Sequence, residues 1–448
     1  MSAIQPAIRS ALQPAIRSAI LSYGAVAWSP LTLFAASEVG VWYDPSDFST
    51  MFQDSAGTTP VTAVGDPVGK ILDKSGNGKH ATQATAASRP LLSALVNLHT
   101  KTEQFGDAIW AKRGTASVTP NDAVAPDGNT TADLISVGAG SVNDIYYSGT
   151  MGTIPTTVKL TPSLWVKRVS TSGFLFIRNI DNTSYGYLQV NLASLSDNWE
   201  LITETHPAVN LVSAYYGAGG AMNGFQLCAN SGTISCHVWG ADLRFASEST
   251  NIPAYQRVNT STDYDTAGFP HYLKFDGVDD SLATAAIDFT ATDAVSVFAG
   301  MRKASDAARG TIVELTASAA ANNGAFHLAA PNAASATIAW ESKGTVLADA
   351  VASSGVAAPL TAVLTGTSDI SGDTAILRVN GAQADADTGN QGTGNFSNAA
   401  MYIGRRGGSS LPLNGRIYSL TVLGRTATAL EIAAAESYAA GKSGVVLP

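Results

Sequence analysis

Short runs of β-branched and aromatic residues recur along most of this chain, and they constrain its fold more than any other feature. Examples are SLWVKRVS, GFLFIRNI, VSVFAGMRK, GTIVELTAS and GRIYSLTVLG, each bounded by Gly, Asn, Asp or Ser. Runs of this kind between turn residues are typical of strands. Charged residues make up only 14% of the sequence, against the usual quarter or so, and 448 residues are enough for two or three domains. The sequence therefore predicts a mainly β protein.

One hairpin and one helix are predicted individually. Asn380-Gly381 lies between two extended runs in TAILRVNGAQADA, a dipeptide that favours a two-residue hairpin turn. In TATALEIAAAESYAAG, Thr428 and Glu431 form a capping box, and Gly441 stands where we expect the helix to end. A single helix after many strands fits a β-sandwich closed by a terminal helix.

Residues 1–37 form an N-terminal segment in which an eight-residue unit is repeated, IQPAIRSALQPAIRSAI. Its aliphatic residues recur at every fourth position, while two prolines divide it into extended stretches and short helical turns. Such turns are too short to be stable alone, so we predict a docking peptide that gains order on a partner. A cleaved signal segment and a frayed tail without function are the alternatives. The predicted docking residues are Ile4, Ile8, Arg9, Leu12, Ile16, Arg17 and Ile20.

Charge and cysteine content exclude several classes of protein. The net charge is −9 and the basic residues are scattered, so nucleic-acid binding is not predicted. The uncharged run from Ala19 to Ser37 is broken by polar residues, glycine and proline, so we predict no membrane-spanning helix. Cys228 and Cys236 flank a turn, and buried free thiols are favoured over a disulfide because nothing else indicates a disulfide framework.

Two sets of motifs carry a family resemblance. WYDPSD (42–47), DKSGNGKHATQ (73–83) and, much later, YLKFDGVDDSLAT (272–284) resemble concanavalin A-like, laminin-G-type jelly-roll domains of phage virion proteins. Between them, TEQFGDAIWAKRG (102–114) and the segment from His237 to Asp265 resemble carbohydrate-binding-module-like sandwiches of phage tail proteins. The resemblance implies two β-sandwich domains, one inserted in the other. The jelly roll would comprise residues 38–93 plus 266–448, with the inserted β-sandwich at 94–265.

The candidate ligand contacts are aromatic side chains, because sugars stack their C–H faces on rings. Successive residues of a strand point to opposite faces, so one tyrosine of each doublet is expected to be exposed. Core packing is the alternative for every one of these residues. The glycan-binding candidates, all in the predicted inserted sandwich, are Trp110, Tyr146, Tyr147, Tyr215 and Tyr216.

Two polar clusters have simpler interpretations beside a binding role. Asp276, Asp279 and Asp280 in FDGVDD would suit calcium, but aspartates around glycine more often cap a turn. We predict turn capping, with calcium as the alternative and no other cofactor. Arg405 and Arg406 in IGRRGGSS are predicted to lie in a solvated hairpin loop rather than in an anion site.

An enzymatic function is not predicted. Concanavalin-like folds include glycan-cleaving enzymes, which need paired carboxylates across a cleft. No strand shows the alternating acidic residues expected of such enzymes. Glu200 and Glu204 have an even spacing and are predicted to share the solvated face of a strand.

The resemblance also implies a role and a location. It indicates a phage virion protein on the exterior of the particle, made in the host cytoplasm, in the tail or tail tip rather than the head. It would dock on other virion proteins through its N-terminus, bind host surface glycan and form a homo-oligomer, with a trimer favoured. A head decoration protein that packs on other subunits without binding glycan is the alternative, and a glycan depolymerase is a third possibility.

Overall fold

A computed structural model describes most of the chain beyond the N-terminal repeat. The described residues are 28–94, 97–139, 142–149, 159–179, 187–213, 224–245, 255, 257–259 and 270–448. They separate into two compact units. Unit 1 comprises the described residues up to Ser93 together with His271–Pro448, and unit 2 comprises the described residues of Ala94–Pro270.

Strands account for most of the regular structure of both units. The first segment of unit 1 contains five strands, and the last of them ends one residue beyond the boundary at Ser93. They are β1 (Gly40–Tyr43), β2 (Met51–Phe52), β3 (Lys70–Ile71), β4 (Ala81–Thr82) and β5 (Leu91–Ala94). Unit 2 follows with β6 (Trp110–Lys112), β7 (Ser117–Ala123), β8 (Ala132–Val137), β9 (Ile145–Tyr147), β10 (Leu160–Arg168), β11 (Phe174–Asn179), β12 (Tyr187–Asn191), β13 (Glu200–Ile202), β14 (Val209–Ser213), β15 (Phe225–Ala229) and β16 (Ile234–Phe245).

The second segment of unit 1 contains the remaining strands and the helix. These are β17 (His271–Asp276), β18 (Leu282–Thr284), β19 (Ile287–Asp288), β20 (Ala294–Lys303), β21 (Thr311–Leu315), β22 (Ala325–Ala329), β23 (Ile338–Lys343), β24 (Leu347–Ala352), β25 (Leu360–Asp369), β26 (Thr374–Val379), β27 (Ala382–Asp387), β28 (Asn398–Ala399), β29 (Met401–Ile403), β30 (Asn414–Leu423) and α1 (Ala429–Ser443). Short 3-10 helices lie at Pro30–Phe34, Phe48–Thr50, Ala86–Ser88 and Leu192–Ser194.

Unit 1 is a sandwich of two large antiparallel sheets. One has the order β27-β26-β25-β20-β30-β17-β5, with β1 also pairing with β30, and the other has the order β2-β3-β4-β18-β29-β21-β22-β23-β24. Apolar side chains from both sheets form one buried cluster between them. The first sequence segment supplies strands to both sheets, so unit 1 needs both of its segments to form its core.

The motifs near the start of unit 1 have a structural role. The carboxylate of Asp73, which is 8% exposed, accepts hydrogen bonds from the backbone N–H groups of Trp42, Ser75 and Lys79. The bond from Trp42 joins the WYDPSD segment to DKSGNGKHATQ, and the other two hold the turn within the second segment. A buried carboxylate is tolerated there because several donors satisfy it.

Helix α1 packs on the sheet that contains β20 and β25. Glu436, 2% exposed, accepts hydrogen bonds from Arg378 Nε at 2.7 Å and Thr365 Oγ1 at 3.0 Å. Gly300 on β20 permits the close approach, since a Cβ there would lie 2.9 Å from the carbonyl oxygen of Ala439. The helix therefore covers one face of this sheet.

The structure confirms the predicted hairpin and the predicted start of the helix, but not the predicted end of the helix. Asn380 and Gly381 have φ angles of 50° and 83° and join β26 to β27, as the hairpin prediction requires. The capping box of Thr428 and Glu431 is present. The predicted end of the helix is wrong, because Gly441 lies inside α1 and Gly444, with a φ of 73°, caps it. In the last turn, Ser443 Oγ donates to the Ala439 carbonyl at 2.8 Å, and Lys442 Nζ donates to Asp44 at 3.1 Å.

Unit 2 is a smaller sandwich. Its sheets have the orders β13-β10-β16-β8-β7 and β14-β12-β11-β15-β9-β6, and a second buried apolar cluster lies between them. Cys228 and Cys236 are buried free thiols, as predicted. Burial raises the pKa of Cys228 to about 11 and that of Cys236 to about 12, so both stay protonated at neutral pH.

The predicted fold class is confirmed: the protein is mainly β, with sandwich sheets and a C-terminal helix. Within the described part of the chain, no helix has the length and apolarity needed to cross a membrane.

Candidate functional site

An open cleft lies in unit 1 where β21 leaves its partner β29. The two strands pair from Val313↔Ile403 to Leu315↔Met401, and the β21–β22 connection then turns away. The cleft between this connection and the β28–β29 segment has a volume of ≈ 430 Å³, within the range of about 300–1,000 Å³ typical of small-molecule sites. Besides three alanines, it is lined by Thr316, Asn322, Asn323, Ser397, Asn398 and Tyr402.

Thr316 gives this cleft an unusual backbone. Its φ is 75°, a left-handed conformation that a β-branched residue rarely adopts and that costs roughly 1–3 kcal/mol. The conformation is held by the hydrogen bond from the Thr316 N–H to the Ala400 carbonyl at 3.0 Å. The Thr316 hydroxyl also accepts from Asn322 Nδ2 at 3.3 Å. This strain turns the loop so that Asn322 and Asn323 stand at the cleft.

Several polar groups of the cleft are not used by the fold. Asn323 and Asn398 are exposed, and their side-chain amides bond to no residue that the structure describes. The Ser397 hydroxyl is buried, and no partner for it lies among the described residues. Each amide offers a carbonyl acceptor and two N–H donors. The half-buried ring of Tyr402 provides the apolar surface beside them.

The lining of the cleft offers hydrogen-bonding groups beside an aromatic ring. No charged side chain lines it among the described residues. A ligand that fits would be uncharged, rich in hydroxyl groups and able to cover part of a tyrosine ring, because only such a ligand satisfies amides, hydroxyls and the ring together.

Carboxylates lie close by on the same sheet, but they are neutralised. Glu314, His327 and Glu341 are neighbours across β21, β22 and β23. Arg406 contacts Glu314 at 2.8 Å and Arg309 contacts Glu341 at 2.5 Å. Burial alone would raise the pKa of Glu341, but hydrogen bonds and charge from His327 and Arg309 lower it to about 2. A carboxylate with so low a pKa is ionised at neutral pH and is a poor proton donor there.

The prediction that Arg406 is a solvated loop residue is therefore wrong. Its side chain is only 15% exposed, because the loop after β29 folds back so that the guanidinium covers Glu314. Arg405, in contrast, bonds to the backbone of its own loop at Ser409.

The aromatic candidates of unit 2 occupy different environments. Trp110 is fully buried and its Nε1 donates to the Lys101 carbonyl at 2.9 Å, so it packs in the core and offers no surface to a sugar. Tyr147 is 2% exposed and packs beside it. Tyr146 is half-buried and points to the other face of the sheet. Tyr215 and Tyr216 lie outside the described residues, as do the seven predicted docking residues.

The three aspartates of FDGVDD come together at a turn. One carboxylate oxygen from each of Asp276, Asp279 and Asp280 lies within 4.8 Å of the others. Asp276 Oδ1 accepts from the N–H groups of Val278 and Asp279, which is the arrangement of a turn cap. Burial, and then repulsion by Asp276, raise the pKa of Asp280 to about 6. Calcium at this cluster stays the untested alternative to turn capping.

Glu200 and Glu204 do not share a strand. β13 ends at Ile202, and Glu204 lies in the following turn, where it pairs with Lys159 at 2.8 Å. Glu200 instead accepts from the backbone N–H of Ser196 and contacts His206 at 3.0 Å. The even spacing was misleading because the strand is only three residues long.

The cleft residues were not among the sequence candidates. The tandem Asn322-Asn323 in an alanine-rich turn was the available signal, but nothing in sequence placed it beside Asn398. Side chains from two distant loops form this cleft, and only the pairing of β21 with β29 brings the loops together.

The fold and the cleft define a lectin-like β-sandwich unit, and the comparison with protein families agrees. Residues 276–433, which include all the cleft residues, match the family described as the Concanavalin A-like lectin/glucanases superfamily. None of the curated proteins compared with the chain matches it.

Solved structures show only distant similarity. The CBM40 of the Ruminococcus gnavus IT-sialidase bound to alpha2,3 sialyllactose is 14% identical, over 31% of this chain and 80% of that one, with a TM-score of 0.27. The binding domain of Botulinum Neurotoxin DC in complex with SialylT is 12% identical, over 38% of this chain and 42% of that one, with a TM-score of 0.30. At these TM-scores the similarities carry no argument about function.

Proposed function

We propose that the protein binds an uncharged glycan through the cleft of unit 1 and does not cleave it. The observation that carries this proposal is the cleft lining: amides, hydroxyls and one tyrosine ring, with the amides of Asn323 and Asn398 free of bonds to the described residues. A hydroxyl-rich ligand would replace the water around these amides with hydrogen bonds to both of them. The lectin-like match over the same residues adds support.

We further propose the biological setting that the sequence motifs imply. The protein would be a bacteriophage virion component on the exterior of the particle, in the tail or tail tip, docked on other virion proteins through residues 1–37. Single sugar sites bind weakly, so adhesion would come from several copies, with a trimer favoured, since multivalency adds a factor on the order of a hundred or more. The ligand would be a glycan of the host surface.

A glycan microarray probed with the full-length protein tests the cleft. The double variant Asn323→Ala, Asn398→Ala removes two exposed amides that bond to none of the described residues, so it should fold normally. We expect it to lose binding to uncharged glycans by about tenfold or more, since each lost polar contact costs roughly 1 kcal/mol. Asn230→Ala, an exposed asparagine of unit 2, is the matched control and should bind as the wild type does.

Equal binding by the double variant and the wild type would overturn the cleft as the site. Adsorption of the purified protein to host cells tests the setting. A head decoration protein would neither bind cells nor block infection.

A further inference from the structure

The face of the six-stranded sheet of unit 2 that points away from the core carries a row of polar and aromatic side chains. Tyr146, Gln226, Arg178 and Tyr187 are direct cross-strand neighbours on β9, β15, β11 and β12. Their sequence neighbours, such as Ile177 and Leu227, point into the core, so the row lies on the opposite face of the sheet, where Gln226 is fully buried and the other three residues are half-buried. We call these four residues the arginine row.

Hydrogen bonds among buried groups fix the side chains of this row. Asp144, which is fully buried, accepts from Arg113 Nε at 2.7 Å and Nη2 at 2.6 Å. Gln226, also fully buried, donates to Asp144 and accepts from Arg178 Nε at 2.6 Å. The guanidinium of Arg113 lies over the ring of Tyr146, 4.6 Å from its centroid. The polar groups are therefore held in place before any ligand arrives.

Among the described residues, the two arginines of this assembly differ in whether they have a carboxylate partner. Asp144 offsets the charge of Arg113 through a two-bond ion pair. Arg178 has no carboxylate partner in the described part of the chain, and its one bond there is the neutral one to Gln226. That bond uses Nε, and neither Nη group bonds to a described residue; the two Nη groups form a fork that matches the two oxygens of a carboxylate. A pre-oriented guanidinium with no carboxylate partner among the described residues stands out in a chain whose net charge is −9.

Aromatic rings flank the guanidinium of Arg178. Tyr187 is its cross-strand neighbour and stands 5.1 Å from Phe176, ring centroid to centroid. Tyr146 lies on the other side of Gln226. Both tyrosines are half-buried, and the guanidinium of Arg113 occupies one face of the Tyr146 ring. A sugar ring carrying a carboxylate can place its charge on Arg178 and its C–H face on a tyrosine.

We propose that the arginine row binds a carboxylate-bearing sugar residue of an acidic glycan, with Arg178 holding the carboxylate. This site lies on unit 2 and uses none of the residues of the unit 1 cleft, so it stands or falls independently of the uncharged-glycan site. Tyr146 acts here as one wall of the site, and Gln226 positions Arg178.

Affinity electrophoresis of the full-length protein tests the proposal. The gels contain polygalacturonate, hyaluronate or alginate, which present carboxylates in different stereochemistry, and each is run beside its methyl-esterified form. We expect at least one charged polymer to retard the protein and its ester not to. Arg178→Gln should weaken that retardation by about tenfold or more, because hydrogen bonds to charged groups are worth roughly 1.5–3 kcal/mol. Arg178→Lys, which keeps the charge but loses the fork, should fall between them.

The cleft variant Asn323→Ala, Asn398→Ala should be retarded like the wild type, which separates this site from the proposed one in unit 1. Protection of Cys228 and Cys236 from a thiol reagent shows whether each variant is folded. The proposal is overturned if no charged polymer retards the protein, if the esters retard it equally, or if a folded Arg178→Gln or Arg178→Lys behaves as the wild type.

Discussion

Unit 2 is expected to lose stability on mild acidification because of one buried histidine. The ring of His99 has no exposed surface. It packs against the rings of Phe225 and Tyr147, with centroids 4.4 Å and 4.7 Å away. Its Nε2 accepts the backbone N–H of Phe225 at 3.2 Å, and its Nδ1 meets no partner among the described residues. No carboxylate among the described residues compensates a positive charge on this ring.

Burial lowers the pKa of His99 to about 3, from 6.5 in the unfolded chain. The folded state therefore keeps the ring neutral, while the unfolded state takes up a proton below pH 6.5. The stability contributed by His99 is fully present above pH 6.5 and is lost as the pH falls towards 3. One proton corresponds to about 1.4 kcal/mol per pH unit, so the loss reaches about 2 kcal/mol at pH 5.

The substitution His99→Gln removes the titrating ring and keeps an acceptor for the Phe225 N–H. The two cysteines of the chain are both buried in unit 2, so their reactivity with a dithiodipyridine reagent in increasing urea reports the unfolding of that unit alone. Between pH 7.5 and pH 5 we expect the wild type to lose about 2 kcal/mol more than His99→Gln. The variant is less stable at both pH values, because the glutamine packs less well among the rings.

The comparison between the two proteins cancels the other titrating groups, which are common to both. The reasoning about His99 would be refuted if wild type and variant lost the same stability between the two pH values. A larger loss in the variant would also refute it.

Three further predictions follow from buried groups. Asp280→Asn should stabilise unit 1 at pH 8 by about 1–3 kcal/mol, because burial and repulsion by Asp276 raise the pKa of the carboxylate that it removes. This gain should disappear as the pH falls through 6 towards about 4. If the cluster binds calcium, excess calcium should raise the melting temperature of the wild type more than that of the variant, and an unchanged wild-type value would eliminate the ion. Trp110→Ala should lower the free energy of unfolding of unit 2 by about 3–5 kcal/mol, measured by thiol protection. Tyr146→Ala should lower it much less, since of the two rings only that of Trp110 is fully buried. Equal losses would contradict this prediction. Glu436→Ala should lower the free energy of unfolding of unit 1 by about 3 kcal/mol, because it removes the carboxylate that pairs with Arg378 beneath α1. A change in thermal unfolding smaller than the error of the measurement would show that this ion pair does not stabilise the helix on the sheet.

The sequence by itself determined the features that depend on neighbouring residues. The hairpin at Asn380-Gly381 followed from the one dipeptide that suits two positive φ angles. The start of α1 followed from a capping box whose two members are three residues apart. Strand alternation also gave the correct contrast between Tyr146 and Tyr147, since adjacent residues of a strand must face opposite ways.

Only the tertiary structure decided which surfaces are available. Trp110 belongs to the core and Arg406 covers a buried glutamate, because the elements that enclose them come from distant parts of the chain. The cleft and the arginine row are likewise made by strand pairings between residues far apart in sequence. Local patterns report the conformation of a segment, but a binding site depends on which segments meet, and that is set by burial and pairing across the whole unit.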